Sequence, residues 1–184
     1  MEYGLPKSLE VGGTEYSIRS DFRDILEIMS VLNDAELKGQ ERGLLALLIF
    51  YPDFEDIPIE YVQESMDKMT WFINGGRDNS EIDPGPVLYD WEQDWNLIVA
   101  PVNHVLGSEC RSMDYLHWWT FLGAFMEIGE CAFAQVVHIR SQLKTGKSLD
   151  KTDREWYEKN KNLVNMKTRF TAEELAELEK WGGG

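Results

Sequence analysis

The chain has 184 residues, 33 acidic against 18 basic side chains for a formal net charge of −15, and 43% hydrophobic residues. That length suits one domain with a sizeable core, and the apolar content excludes global disorder. The charge repels DNA and anionic lipid and favours a basic protein partner or simple solubility.

The charge is polarised. Residues 1–100 hold 21 acids and 7 bases, residues 101–184 hold 12 and 11, and the stretch 140–169 alone carries 9 bases against 4 acids. Such polarity suits self-association, with the acidic half of one copy meeting the basic stretch of another. No apolar run reaches transmembrane length, and the acidic start MEYGLPKSLE lacks the features of a signal peptide. Cys110 and Cys131 read as reduced core thiols of a cytosolic protein.

In chain order, LEVGGTEYSIR alternates around Gly12-Gly13 and predicts a two-residue hairpin within residues 1–20. Because an isolated hairpin is marginal in water, it has to dock or extend from a helical body. Ser20 and Asp21 are N-cap candidates for a helix through Asn33 with Phe22, Ile25, Leu26, Met29 and Leu32 on one face. A short apolar helix, RGLLALLIFY, follows and stops at Pro52. Asp56 and Pro58 announce another, with Ile59, Val62, Met66, Met69 and Phe72 as its buried stripe, ended by Asn74-Gly75-Gly76. Residues 75–86 form a polar loop, and Asp83-Pro84 caps a helix from Leu88 to Val105 through Trp91, Trp95 and Ile98, which Pro101 should kink.

The densest apolar stretch is 112–144, read as two helices joined near 127–130. Leu116, Trp119, Leu122, Phe125 and Met126 form the core stripe of the first, and Phe133, Val136, Val137, Arg140 and Leu143 that of the second. Trp118 lies about 100° round the helix from Trp119, so it is the expected partner-facing ring, with Met113, Phe121 and Met126 beside it. Asp150 and Asp153 can cap a helix carrying Trp156 and Tyr157. The final TAEELAELEKW opens with a capping box, Thr171 to Glu174, and leads to a Gly-rich tail in the segment 167–184. The fold predicted is all-α, seven or eight helices in one domain over 21–166, with the hairpin in front.

The strings DWEQDWNLI at 90–98, DYLHWWTF at 114–121, Ile139-Arg140, TGKSLDK at 145–151 and WYEKN at 156–160 carry a resemblance. Over roughly 88–162, and more loosely before that, the chain resembles a family of small proteins encoded by tailed bacteriophages of Gram-positive hosts. That family is known by the fifteenth gene product of one such phage. The resemblance implies a tail assembly chaperone acting in the host cytoplasm, whose partner is the tail tape-measure protein or another tail assembly protein. It implies no catalytic motif. The interruption at Pro101 is a departure bearing on how that segment stacks.

Rival chemistries fare worse. His117, three residues past Asp114, could form half of a general-base pair, but a packing histidine is the simpler reading. His104, Cys110, Cys131 and His138 are zinc-type ligands without the short pairings such sites use. Asp90 and Asp94 lie one helical turn apart, as two carboxylates on a divalent ion would, yet a solvated face explains them. TGKS at 145–148 lacks the upstream glycine that a phosphate loop requires. No enzyme activity, metal or cofactor is expected. Nucleic-acid binding through the 140–161 face is a rival, with Arg140, Lys144, Lys147, Lys151, Arg154, Lys159 and Lys161 interleaved with Trp156 and Tyr157. The net charge of the chain opposes it. The expected activity is non-enzymatic binding, by a partner surface made of Met113, Trp118, Phe121, Met126, Arg140, Lys144, Lys147, Lys151, Trp156 and Tyr157. Methionines 66, 69, 113 and 126 could line a groove for an apolar helical partner. A structural tail or virion component and a small adaptor are the alternatives, and particle copy number separates chaperone from virion component.

Overall fold

A computed structural model describes residues 4–78 and 85–167. The capping box at Thr171 and the predicted C-terminal helix lie outside the described residues, as does the Asp83-Pro84 cap. The remainder is predominantly helical with a short N-terminal hairpin.

Strands β1 (Ser8–Val11) and β2 (Thr14–Ser17) pair antiparallel, Val11 opposite Thr14. Gly12 and Gly13 both adopt positive φ, 56° and 77°, as a two-residue turn that follows the strand twist requires. The hairpin docks through Leu9 and Val11, which join the core. A Cβ at Gly12 would come within 2.6 Å of the Tyr61 ring, so the turn presses directly against the body.

Helix α1 (Phe22–Leu32) starts at Asp21, whose carboxylate accepts from the Arg23 amide at one oxygen and the Leu116 amide at the other. Trp118 N–H donates to the Ser20 carbonyl at 2.7 Å and Phe22 N–H to the Leu116 carbonyl at 2.9 Å, which ties the start of α1 to the start of a helix far along the chain. Helix α2 (Gly39–Phe50) packs on α1 and ends before Pro52. Two 3-10 turns then lead into α3 (Val62–Ile73). Ile59 belongs to the second turn and is 87% exposed, so it lies outside the buried stripe expected of it.

Helix α5 (Trp118–Met126) is the hub. Its N-cap is His117, whose Nδ1 accepts from the Trp119 amide. The proton therefore sits on Nε2, which donates to the Pro6 carbonyl at 2.9 Å. Burial pushes this imidazole below its ordinary pKa, against the Pro6 hydrogen bond. His117 thus joins the hairpin's approach to α5 and makes no general-base pair with Asp114.

Helix phase is counted from that cap, so Trp118, Phe121 and Ala124 face inward. Trp118 and Phe121 are fully buried, while Trp119, Leu122 and Phe125 are half-buried. Trp118, the expected partner-facing ring, is thus the fully buried one, and Trp119, expected in the core, packs against the core's edge. Their adjacency has a further cause. The last carbonyls of α3 lack intrahelical partners, and the Trp119 and Trp118 indoles donate to Phe72 and Ile73 respectively, both at 2.8 Å. Around Trp118 the rings of Phe22, Phe121, Trp91, Trp95 and Phe125 pack in one cluster, Phe22 on Phe121 at 4.7 Å and Trp91 on Phe125 at 4.6 Å.

Helix α4 (Trp95–Leu106) carries Pro101 inside it and ends at Gly107 in the left-handed conformation. α6 (Ala132–Lys144) is capped by the Cys131 thiol and α7 (Lys151–Lys159) by Asp150. The four-residue α8 (Lys161–Val164) closes the described chain.

Candidate partner-binding groove

The helix expected from Leu88 begins only at Trp95. Asp90 Oδ1 accepts from the Glu92 and Gln93 amides, and Asp94 Oδ2 accepts from the Asp90 amide, so these aspartates build a turn in place of a helical ladder. Asp94 is 1% exposed, the opposite of a solvated face. It receives Arg140 from α6 in a two-pronged ion pair, Nη1 to Oδ2 at 2.6 Å and Nη2 to Oδ1 at 3.0 Å.

Arg140 spends its other bonds on backbone. Nε donates to the Val164 carbonyl, Nη1 to Leu88 and Nη2 to Leu163. All five guanidinium N–H groups are then used, and the side chain is 3% exposed. One residue joins α6, the 88–94 segment and α8. The expected role of Arg140 in binding a partner is thereby corrected: its charge is consumed internally. The sequence signal was present, a cation in the apolar stripe of α6, but nothing in the spacing marks Asp94 as its partner.

A groove of ≈1140 Å³ lies between the end of α1, the 86–91 segment, the end of α6 and the residues at and after α8, with Arg140 in its wall. Met29, Leu32, Trp91 and Val137 line it with apolar surface, and Arg42, Lys144 and Lys167 line it with charge. A smaller pocket of ≈240 Å³ between α1 and Trp91–Trp95 shares Met29, Asn33, Asp90 and Trp91 with it, so the two adjoin.

The structure places few of the expected partner residues there. Trp118 and Phe121 are buried in the core and present no surface to a partner, because the cap at His117 turns them inward. Met126 is 62% exposed, and half-buried Met113 gives its carbonyl to Arg23; neither lines the groove. Met69 is buried and Met66 abuts Gly43, so the methionines at the groove are Met29 and Met166. Lys144, Lys147 and Lys151 are exposed, and Lys144 alone of the three is in the lining. Trp156 and Tyr157 are half-buried, and the Tyr157 hydroxyl is hydrogen-bonded to Asn165; neither lines the groove. Of the residues expected in the core, Ile98, Leu116 and Phe133 are buried. Trp91, Trp95 and Val137, with the half-buried Trp119, Leu122 and Phe125, pack against the core.

Among the described residues no three acidic, histidine or cysteine side chains are grouped to hold a metal ion, and no helix is long and apolar enough to cross a membrane. Cys110 is buried, and burial raises its thiol pKa above the usual range.

Hairpin, helices and groove together define a small helical protein with an open, cation-lined cleft. The family model described as Bacteriophage Gp15 protein matches residues 1–166, and the chain belongs to that family. No curated protein and no solved structure matches it.

Proposed function

We propose that the chain is a tail assembly protein of the phage, a non-enzymatic chaperone that binds the tape-measure protein in the host cytoplasm. Family membership supports a tail-associated role. The observation that carries the finer reading is the groove of ≈1140 Å³, whose lining combines apolar side chains, Met29 and Met166 among them, with the charges of Arg42, Lys144 and Lys167. An amphipathic helix laid into such a groove buries its apolar face while its polar face stays wet, and unbranched thioethers repack around varied side chains. A tape-measure protein offers helices of that kind before the tail tube encloses it.

The test is co-purification. Untagged chain should be retained by tagged tape-measure protein, and Val87→Asp together with Leu143→Asp, both exposed in the groove lining, should abolish retention while far-UV circular dichroism stays unchanged. Mass spectrometry of purified particles should find the chain absent. A stoichiometric copy number in the virion would make it a structural component and overturn the chaperone reading.

A further inference from the structure

The groove is charged against the trend of the molecule. Among the described residues its lining sets Arg42, Arg140, Lys144 and Lys167 against one acid, Asp90, on a chain whose net charge is −15. Arg140 is spent on Asp94 and three carbonyls, and Arg42 donates to the Leu37 carbonyl. Asp90 is offset in turn, because its Oδ1 accepts from the Glu92 and Gln93 amides. Lys144 and Lys167 are exposed, and neither ammonium is paired with another described residue. They are the cations left to meet an occupant.

Uncovered hydrocarbon lies in the same lining. Val87 is 64% exposed, and Leu143, the residue before Lys144 in α6, is 43% exposed. An occupant that covers these side chains needs an apolar stripe, and one that also sits against the two ammonium groups needs acids at the border of that stripe. The field of the whole chain argues the other way. Residues 1–100 hold 21 acids and 7 bases, which favours a basic partner. Range decides between the two. Exposed charges are screened beyond about 8 Å at physiological salt, so the groups that touch an occupant outweigh the acids elsewhere on the surface.

We propose that the groove selects an amphipathic helix whose apolar stripe is bordered by aspartate or glutamate, the stripe covering Met29, Val87 and Leu143 and the acids meeting Lys144 and Lys167. The apolar contact is of the helix-in-groove kind, and the two lysines choose the charge of the helix. This deepens the tape-measure reading and rests on the groove as the docking site. It states which segment of a long helical partner docks there, an acid-bordered one and not a basic one.

Two synthetic helical peptides test it, sharing one leucine stripe and differing at its borders, glutamate in one and lysine in the other. In fluorescence anisotropy with the full-length chain, the glutamate peptide should bind at least about fivefold more tightly at physiological salt, from two exposed pairs gained and two like-charge contacts avoided. The margin should shrink as salt is raised toward about 1 M. Lys144→Glu with Lys167→Glu should reverse the preference without moving the thermal melt, and Val87→Asp with Leu143→Asp should abolish binding of both peptides. Equal binding, tighter binding of the lysine peptide, binding of neither, or a preference that survives the lysine reversal overturns the proposal. The two readings fail separately. Retention of the tape-measure protein that is indifferent to the lysine reversal would sink the acidic-border rule and leave the chaperone reading standing, whereas loss of retention by the wild-type chain would sink the chaperone reading and leave the peptide preference in place.

Discussion

Replacing Arg140 by Met keeps the length of the side chain and removes its charge. Asp94 would remain 1% exposed, with the Asp90 amide still donating to it, and the carbonyls of Leu88, Leu163 and Val164 would each lose a hydrogen bond. Breaking a buried pair from one side costs about 3–5 kcal/mol, because an uncompensated charge stays behind. Against a total stability of about 5–15 kcal/mol that is a large loss. Asp94→Asn should cost less, about 2–3 kcal/mol, since the guanidinium keeps its three carbonyls. The double variant should be less destabilised than the sum of the two by about 1–3 kcal/mol, the coupling expected of residues in direct contact. Urea melts at pH 7 followed by far-UV circular dichroism measure all four corners of the cycle. A loss below about 1 kcal/mol for Arg140→Met, or strictly additive single effects, would refute the view that this pair is desolvated and holds the 88–94 segment on α6.

Trp118→Ala should cost about 3–5 kcal/mol as a fully buried ring, and Trp119→Ala distinctly less in the same melts; a larger loss at Trp119 would reverse the assignment of the core face. The folded-state pKa of His117 lies below its ordinary value, so the unfolded chain binds the extra proton first and stability should fall as pH drops below about 6.5. His117→Asn, which keeps an acceptor for the Trp119 amide, should flatten that dependence between pH 5 and 7; an unchanged slope would assign it elsewhere. Gly12→Ala meets both a positive φ and the Tyr61 ring and should destabilise by more than about 1 kcal/mol, whereas Gly13→Asn, with open space around it, should be nearly neutral by thermal melt.

The sequence by itself determined what local chemistry controls. Two adjacent glycines between alternating strands specify a hairpin turn. Asp21 before Phe22, and Asp150 before Lys151, satisfy amides within the next three residues, so both helix starts were legible. The family resemblance, too, was carried by contiguous strings. Tertiary structure decided wherever a side chain answers to a distant partner. Residues 88–94 have helical periodicity, yet Asp94 and the Leu88 carbonyl are claimed by Arg140, 46 and 52 residues away, and periodicity contains no information about that pairing. The choice between Trp118 and Trp119 turned on one residue of phase. Both indoles are required at the end of α3, and the cap at His117, anchored to Pro6, sets which of them faces inward. The walls of the groove are joined by the same long-range bonds, since Arg140 ties α6 to Leu88, Leu163 and Val164. Sequence named most of the apolar residues, and long-range hydrogen bonding selected the face each one presents.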